Sequence, residues 1–213
     1  MYADYKHINT GDTISKSWRL QDGFPLRSKL SLIYHYDRDK DSEKPWTYPT
    51  ETAFDLFADG LMEISPKVSH LVGKPGEDWQ NFSITSFLYP ARTGLSLHKD
   101  GRESYTGAYT YFLSKHWNIH WGGLLLVLDP RTKFERDEVE LYGQPKMFRN
   151  VWIDSEREDS QIWEPGFSQC IFPKRNRLVF IDSDTLHMIT RVSESAGDNV
   201  RMAFSGFFDK IKN

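Results

Sequence analysis

The sequence predicts a mainly β protein with flanking helices, built as a sandwich or barrel rather than from alternating β and α units. Three observations lead there. Past residue 82 the chain breaks into short apolar or alternating runs: FSITSFLY, GAYTYFL, GGLLLVLD, SQCIFP, RLVFID and VRMAFSGFF. Between them lie PARTG, KDGRES, PKRN and SESAGDN, rich in the Gly, Pro, Asn and Asp that tight turns require. Aromatic residues make up 15% of the chain, with 7 Trp, 10 Tyr and 14 Phe, which suits flat rings packed on a pleated face.

At 213 residues the chain is long enough to close one core without disulfides, and a single domain over 1–213 is expected. Residues 1–81 read as a partly helical support. There KLSLIYHY (29–36) has the β-branched and aromatic content of a strand. Residues 37–49 are charged, contain Pro45 and Pro49, and read as a loop. Thr50 is placed to cap a helix running through TAFDLFADGLMEI, with Glu51 near its start. Phe54, Phe57, Leu61 and Ile64 recur along it at three- and four-residue spacing, the stripe of a helix packed on a sheet. Residues 82–208 are the β core. Within it, 130–168 is charged and without period, and reads as a long insertion over one face, a lid or binding loop.

Composition narrows the function classes. A net charge of −3 with no basic stripe gives no reason to expect nucleic acid or an anionic membrane as partner. Cys170 is the only cysteine, so an internal disulfide is impossible and a cysteine-based metal site is not expected. The start, MYADYKHINTGD, shows no signal peptide, and the longest apolar run is Leu124 to Leu128, far short of a membrane span. A reducing, cytoplasmic location is the expectation.

The chemistry centres on His98, Lys99 and Asp100. In extended chain, residues i and i+2 share a face, so this imidazole and carboxylate can reach one ion. His187, ending RLVFIDSDTLH, is the third candidate ligand. Two His and one carboxylate on one face of an octahedron form the triad of non-haem iron(II) oxygenases, with the opposite positions open. A His-x-Asp triplet alone is a weak signal, and the chain has a second in His35, Tyr36 and Asp37. That one runs into the charged loop DRDKDSEK, whereas His98 and Asp100 lie between aromatic strands. His116 and His120 have the i, i+4 spacing of a helical zinc pair, but Asn118 and Gly122–Gly123 make the segment a surface turn.

Several blocks, in order, resemble the prolyl-hydroxylase-like branch of the iron(II)/2-oxoglutarate oxygenases from about Phe82 to Phe208. FLYPARTGLSLHKDG is similar to that family's Tyr-Pro, glycine-containing loop and His-x-Asp, and YTYFLSKHWNIHWGGLLLVLD to its aromatic strand, Trp turn and paired glycines. PKRNRLVFIDSDTLHMI is similar to its turn, strand and distal His, and VRMAFSGFF to its closing strand with a basic start. The resemblance implies a double-stranded β-helix (jelly roll, cupin-like), with Fe(II) near one mouth and 2-oxoglutarate and O2 as co-substrates.

The resemblance also implies that Arg201 pairs with the distal carboxylate of 2-oxoglutarate. Charge supports this independently, because a carboxylate carried into a β-lined pocket needs a partner and a guanidinium grips it with two parallel bonds. Arg191 is the rival, but Arg201 opens an alternating strand with Ala203, Ser205 and Phe207 on its face. Tyr89 matches a family tyrosine that reaches the co-substrate, and Ser205 shares the face of Arg201. Phe112 stands where the nearest members place a second such tyrosine, leaving Tyr109 or Tyr111 to compensate, although both are of opposite phase to Phe112. The gap from His187 to Arg201 is also longer than in those members. Asp100 fills the position that related halogenases leave as Gly or Ala, so the implied reaction is hydroxylation, or another C–H oxidation such as desaturation. The implied substrate is an amino-acid unit, free or peptidyl, with protein prolyl hydroxylation as one form. The expected substrate contacts are on loops at the iron end, which carry Lys99, Arg102, Glu103 and Trp121, and on the insertion, which carries Trp152 and Trp163; of these Arg102, Trp121 and Trp152 are the assigned substrate residues. A non-catalytic jelly-roll binding module, and a cupin-like metalloenzyme using no keto acid, are the competing readings.

Overall fold

The computed structural model describes residues 5–7, 22–28, 32–35, 52–100, 104–129 and 166–211. Eleven strands are described, in two sheets. The larger contains β1 (Tyr5–His7), β2 (Leu26–Ser28), β3 (Leu32–His35), β4 (Trp79–Tyr89), β6 (Tyr105–Phe112), β9 (Leu178–Asp182) and β11 (Arg201–Lys210). Its order is β1-β2-β4-β11-β6-β9, with β2 and β3 following each other along one edge of β4. The smaller sheet is β5-β10-β7-β8, from β5 (Leu95–His98), β7 (Leu125–Leu128), β8 (Phe167–Ile171) and β10 (His187–Ile189). All pairings between these strands are antiparallel. From β4 onward the chain passes from sheet to sheet at nearly every connection, an architecture consistent with a double-stranded β-helix.

Strand alternation sorts side chains of the larger sheet into two cores. Phe82, Ile84, Tyr109, Phe180, Phe204 and Phe208 meet Ala58 and Leu61 of helix α1 (Ala53–Ile64) and Val72 of the one-turn α2 (Ser69–Val72). Tyr89, Phe112, Ile181 and Ala203 point the other way, onto Leu125 and Ile189 of the smaller sheet and Val192 beyond it. The molecule is therefore layered as helix, large sheet, small sheet, and the functional residues fall in the inner space.

Helix α1 starts two residues later than the sequence suggests. Thr52 is the cap: its hydroxyl accepts from Phe54 N at 3.2 Å, while Asp55 accepts from Thr52 N at 3.0 Å. Thr50 would have Ala53 three positions on, with no oxygen to return the bond. Pro66 opens the Ser65–Val68 3-10 turn that follows. Of the predicted stripe, Leu61 is buried and Phe54 and Phe57 pack on the core, whereas Ile64 is exposed. The six predicted β runs all contain strands. Strands β5 and β10, of four and three residues, were hidden by their shortness. The proposed insertion 130–168 lies outside the described residues up to 165, and its last two residues already belong to β8.

Candidate metal centre

Two neighbouring strands bring the histidines together. His98 ends β5, His187 opens β10, and the two are register partners. An irregularity in this pairing sets Leu95, three residues before His98, against Ile189, two residues after His187. The rings sit 4.3 Å apart between centroids, tilted by 54°. Each ring is oriented from behind by a backbone carbonyl: His98 Nδ1 lies 2.7 Å from Ser96 O, and His187 Nδ1 3.0 Å from Thr185 O. A carbonyl only accepts, so each Nδ1 carries the proton and each Nε2 presents a lone pair. Both Nε2 atoms face Asp100, at 3.6 Å from Oδ1 and Oδ2 respectively.

The candidate ligand atoms of His98, Asp100 and His187 all lie within 4.8 Å of one another. All three side chains are at least nine-tenths buried. Burial pushes the Asp100 carboxyl above its ordinary range. Asp100 Oδ2 is buried without a hydrogen-bond donor. A buried carboxylate facing two imidazole lone pairs is unfavourable until a cation sits between them. The donor set fits iron(II), which accepts mixed nitrogen and oxygen ligands.

Arg201 occupies the opposite end of the same interior. It is fully buried, yet only its Nε has a partner, donating to Gly123 O at 2.8 Å. The guanidinium is sandwiched between Tyr89 and Phe112, 4.9 Å from each ring. Its Nη1 and Nη2 are buried and unpartnered among the described residues. Burial lowers its pKa to about 10, with Tyr89 opposing. Two parallel N–H donors without an acceptor fit the carboxylate end of a small acid. Ile189, on the face of His187, packs in the cluster that contains Tyr89, Phe112 and Ala203, so triad and guanidinium share one interior. Ser205 lies along β11 between them, its hydroxyl 3.0 Å from that of Thr110. Arg191, the rival, is exposed.

Burial raises the Tyr89 hydroxyl, with Arg201 opposing and Asp22 adding to the rise. Asp22 is itself buried and accepts from Ser96 N at 2.7 Å. It thus ties the N-terminal segment to the residue whose carbonyl orients His98.

Two expected site residues are elsewhere. Tyr111 lies on the helix side of β6, its ring 4.9 Å from Phe57 and its hydroxyl donating to Asn176 at 3.0 Å. Alternation alone turns it away from Arg201, as Phe112 takes the inner face. Trp121 is at the wrong end. Val127 is the residue opposite His187, and Trp121 precedes it by six positions, packed edge-on against Trp117 near Arg201. Lys99 is at the iron end and pairs with Asp184 at 3.0 Å. Arg102, Glu103, Trp152 and Trp163 lie outside the described residues, as does Asp37 of the second triplet. His116 and His120 flank the start of a 3-10 turn at Ile119–Trp121, and among the described residues no third ligand joins them.

Tyr105 is a residue the sequence did not single out. An irregularity in the β6–β11 pairing sets Tyr105 opposite Asp209 and leaves Thr106 extra. Thr106 turns to α2, donating to Val72 O, and Tyr105 is re-aimed to stack on Phe207 at 4.5 Å. Bulges next to sites commonly redirect a side chain in this way. Burial, Asp209 and Asp100 all raise the Tyr105 hydroxyl, which places it in the field of the triad carboxylate. A charged turn followed by an aromatic strand gave no sign of the bulge.

No family model and no curated protein matches the sequence. Solved structures are similar in fold. A Pseudomonas putida prolyl-4-hydroxylase is similar with a TM-score of 0.57 at 12% identity, over 96% of this chain and 77% of that one. A Trichoplax adhaerens prolyl hydroxylase, in complex with a hypoxia inducible factor peptide fragment, gives 0.53 at 14% identity, over 97% and 71%. The fold is similar to that of these two prolyl hydroxylases, and it carries two histidines and one carboxylate, His98, His187 and Asp100, that could hold a metal ion. At these identities the likeness to the solved structures is one of fold, and the chemistry rests on the triad. Among the described residues no helix is long and apolar enough to cross a membrane.

Proposed function

We propose that this chain is a non-haem iron(II)- and 2-oxoglutarate-dependent dioxygenase that hydroxylates an unactivated C–H of an amino-acid-like small molecule or peptidyl residue. The observation that carries the reading is the pair of buried, unpartnered Arg201 terminal nitrogens in the interior that holds the triad. A metalloenzyme using no keto acid would have no acceptor for them.

His98, Asp100 and His187 would hold the iron, their orientation set in advance by Ser96 O and Thr185 O. Bound there, iron(II) supplies O2 activation coupled to conversion of 2-oxoglutarate to succinate. Arg201 fixes the far carboxylate with two parallel hydrogen bonds, and the Tyr89 and Phe112 rings keep water from that pair. The Thr110 and Ser205 hydroxyls line the path between Arg201 and the triad. Tyr105 and Phe207 wall the triad end of the larger sheet, where a substrate C–H has to arrive. Both similar proteins are prolyl hydroxylases by name, which supports an amino-acid unit as substrate.

The test is anaerobic addition of iron(II) and 2-oxoglutarate, watching for the weak visible charge-transfer band of the chelate. The expected band disappears in His98→Ala and needs far more 2-oxoglutarate in Arg201→Ala. Iron bound without a band in the wild-type protein would overturn the keto-acid reading. No iron bound would leave a binding module.

A further inference from the structure

At the Arg201 end of the molecule, away from the metal mouth, two connections between the sheets enclose an open groove of about 780 Å³. One wall is the passage from β6 to β7, the other the turn from β8 to β9. The register separates this groove from the triad: Val127 of β7 is opposite His187, while the walls precede Leu125 and follow its partner Ile171.

Both walls are held in place by hydrogen bonds of their own. Trp117 Nε1 donates to Gly122 O at 2.8 Å, and the Asn118 side chain accepts from His120 N at 2.9 Å. Across the groove, Arg177 Nη1 and Lys174 N both donate to Phe172 O at 2.8 Å, and the Tyr111 hydroxyl donates to Asn176 in the same turn. A preformed surface loses little conformational freedom when it binds.

The groove has an unusual lining. Ile119 and Phe172, 59% and 38% exposed, are two of the five exposed large hydrophobics among the described residues. Around them stand Lys115, His116, Lys174 and Arg175, all exposed. Among the described residues no carboxylate lines the groove. Three lysine or arginine charges are thus gathered on one face of a chain whose net charge is −3.

We infer that this groove is a docking site for an acidic polypeptide segment carrying an apolar anchor. The cations match acidic side chains, and Ile119 and Phe172 take the anchor. A nucleic acid would need a longer basic track and has no use for an aliphatic floor. A membrane surface is flat or convex on this scale and does not enter a cleft between two turns. A partner held here leaves the metal mouth free.

The test needs neither iron nor 2-oxoglutarate, so its outcome is separate from that of the oxygenase reading. The full chain is titrated, by fluorescence anisotropy, with a labelled Glu-rich peptide bearing a central Leu-Leu-Phe anchor. Two counterparts accompany it, one with Gln for Glu and one with Ala for the anchor. The expected result is binding about tenfold tighter for the acidic anchored peptide than for either counterpart at low salt, with the preference shrinking as salt rises. The Lys174→Glu/Arg175→Glu double variant lowers that affinity about tenfold or more, and Ile119→Ser lowers it too. Circular dichroism and thermal midpoint stay unchanged in both variants. Equal binding of the three peptides, undiminished binding by the double variant, or preference for single-stranded RNA or anionic vesicles would overturn the inference.

Discussion

Asp100 carries a burial cost in the metal-free protein. Its carboxyl is buried against His98 and His187, and burial raises its pKa from the ordinary 3.8. Between 3.8 and the raised value the metal-free native state holds a proton that the unfolded chain has released. Stability therefore falls as pH rises through that window and stays lower above it. Asp100→Asn removes the charge at nearly constant shape. At neutral pH and without metal, we expect the variant to be more stable by about 1–2 kcal/mol, roughly 2–8 °C in thermal midpoint. The advantage should vanish at pH below the ordinary carboxylate range, and iron binding should be lost. A less stable metal-free variant at neutral pH would show that Asp100 is a structural partner of the histidines. Arg201 poses the complementary question. Arg201→Lys keeps a cation but not the fork of parallel donors, and we expect 2-oxoglutarate affinity to fall by about 2 kcal/mol, roughly thirtyfold. Chelate titration measures this directly, and unchanged affinity would mean that charge alone suffices.

At the scale of elements, three strands of the larger sheet meet in close contact at Gly206. The Tyr109 side chain of β6 passes over Gly206 of β11, and its hydroxyl donates to Ser83 O of β4 at 2.8 Å. A Cβ on Gly206 would collide with the Ser83 carbonyl and crowd the Tyr109 hydroxyl at 2.8 Å. Backbone cannot yield there as a flexible side-chain end would. Gly206→Ala should cost about 3 kcal/mol or more, read by denaturant unfolding or by loss of soluble protein. Tyr109→Phe, which loses only the hydrogen bond, should cost about 1 kcal/mol. A mild effect for both would mean that β11 and β4 can part without penalty. Gly206 in AFSGFF was not singled out from the sequence, because the groups that demand a glycine there, Tyr109 and Ser83, are remote in sequence. The same divide runs through the site. His98, Asp100, His187 and Arg201 could be read because strand periodicity and charge constrain them locally. Tyr105 could not, since a single extra residue at Thr106 inverts the phase of everything before it. Tyr111 was placed at the co-substrate against its own alternation, and alternation decided. Trp121 was assigned to the iron mouth because a linear reading cannot say which end of a short strand faces the metal.

For the molecule as a whole, the triad and Arg201 lie on different sheets: His98 and His187 on the smaller, Arg201 on the larger. Anything that bridges them ties the two layers together, and unfolding must break that bridge. The short strands of the smaller sheet, β5 and β10, would gain the most, since a metal held by the triad would join the end of one to the start of the other. Iron(II) alone should stabilise β5 against β10, whereas iron(II) with 2-oxoglutarate should also fasten the smaller sheet to β11. For a ligand at one hundred times its dissociation constant the gain is about 2.7 kcal/mol, a rise of roughly 5–11 °C in thermal midpoint for a chain of this size. Without oxygen, we expect the two ligands together to raise the midpoint by more than the sum of their separate effects. The excess would follow if 2-oxoglutarate binds well only where both metal and Arg201 hold it, as proposed. In Arg201→Ala the metal shift should persist and the excess should disappear; in His98→Ala both should fall. Strictly additive shifts in the wild-type protein would mean that the keto acid and the metal occupy separate sites, and the bridge between the sheets would not exist.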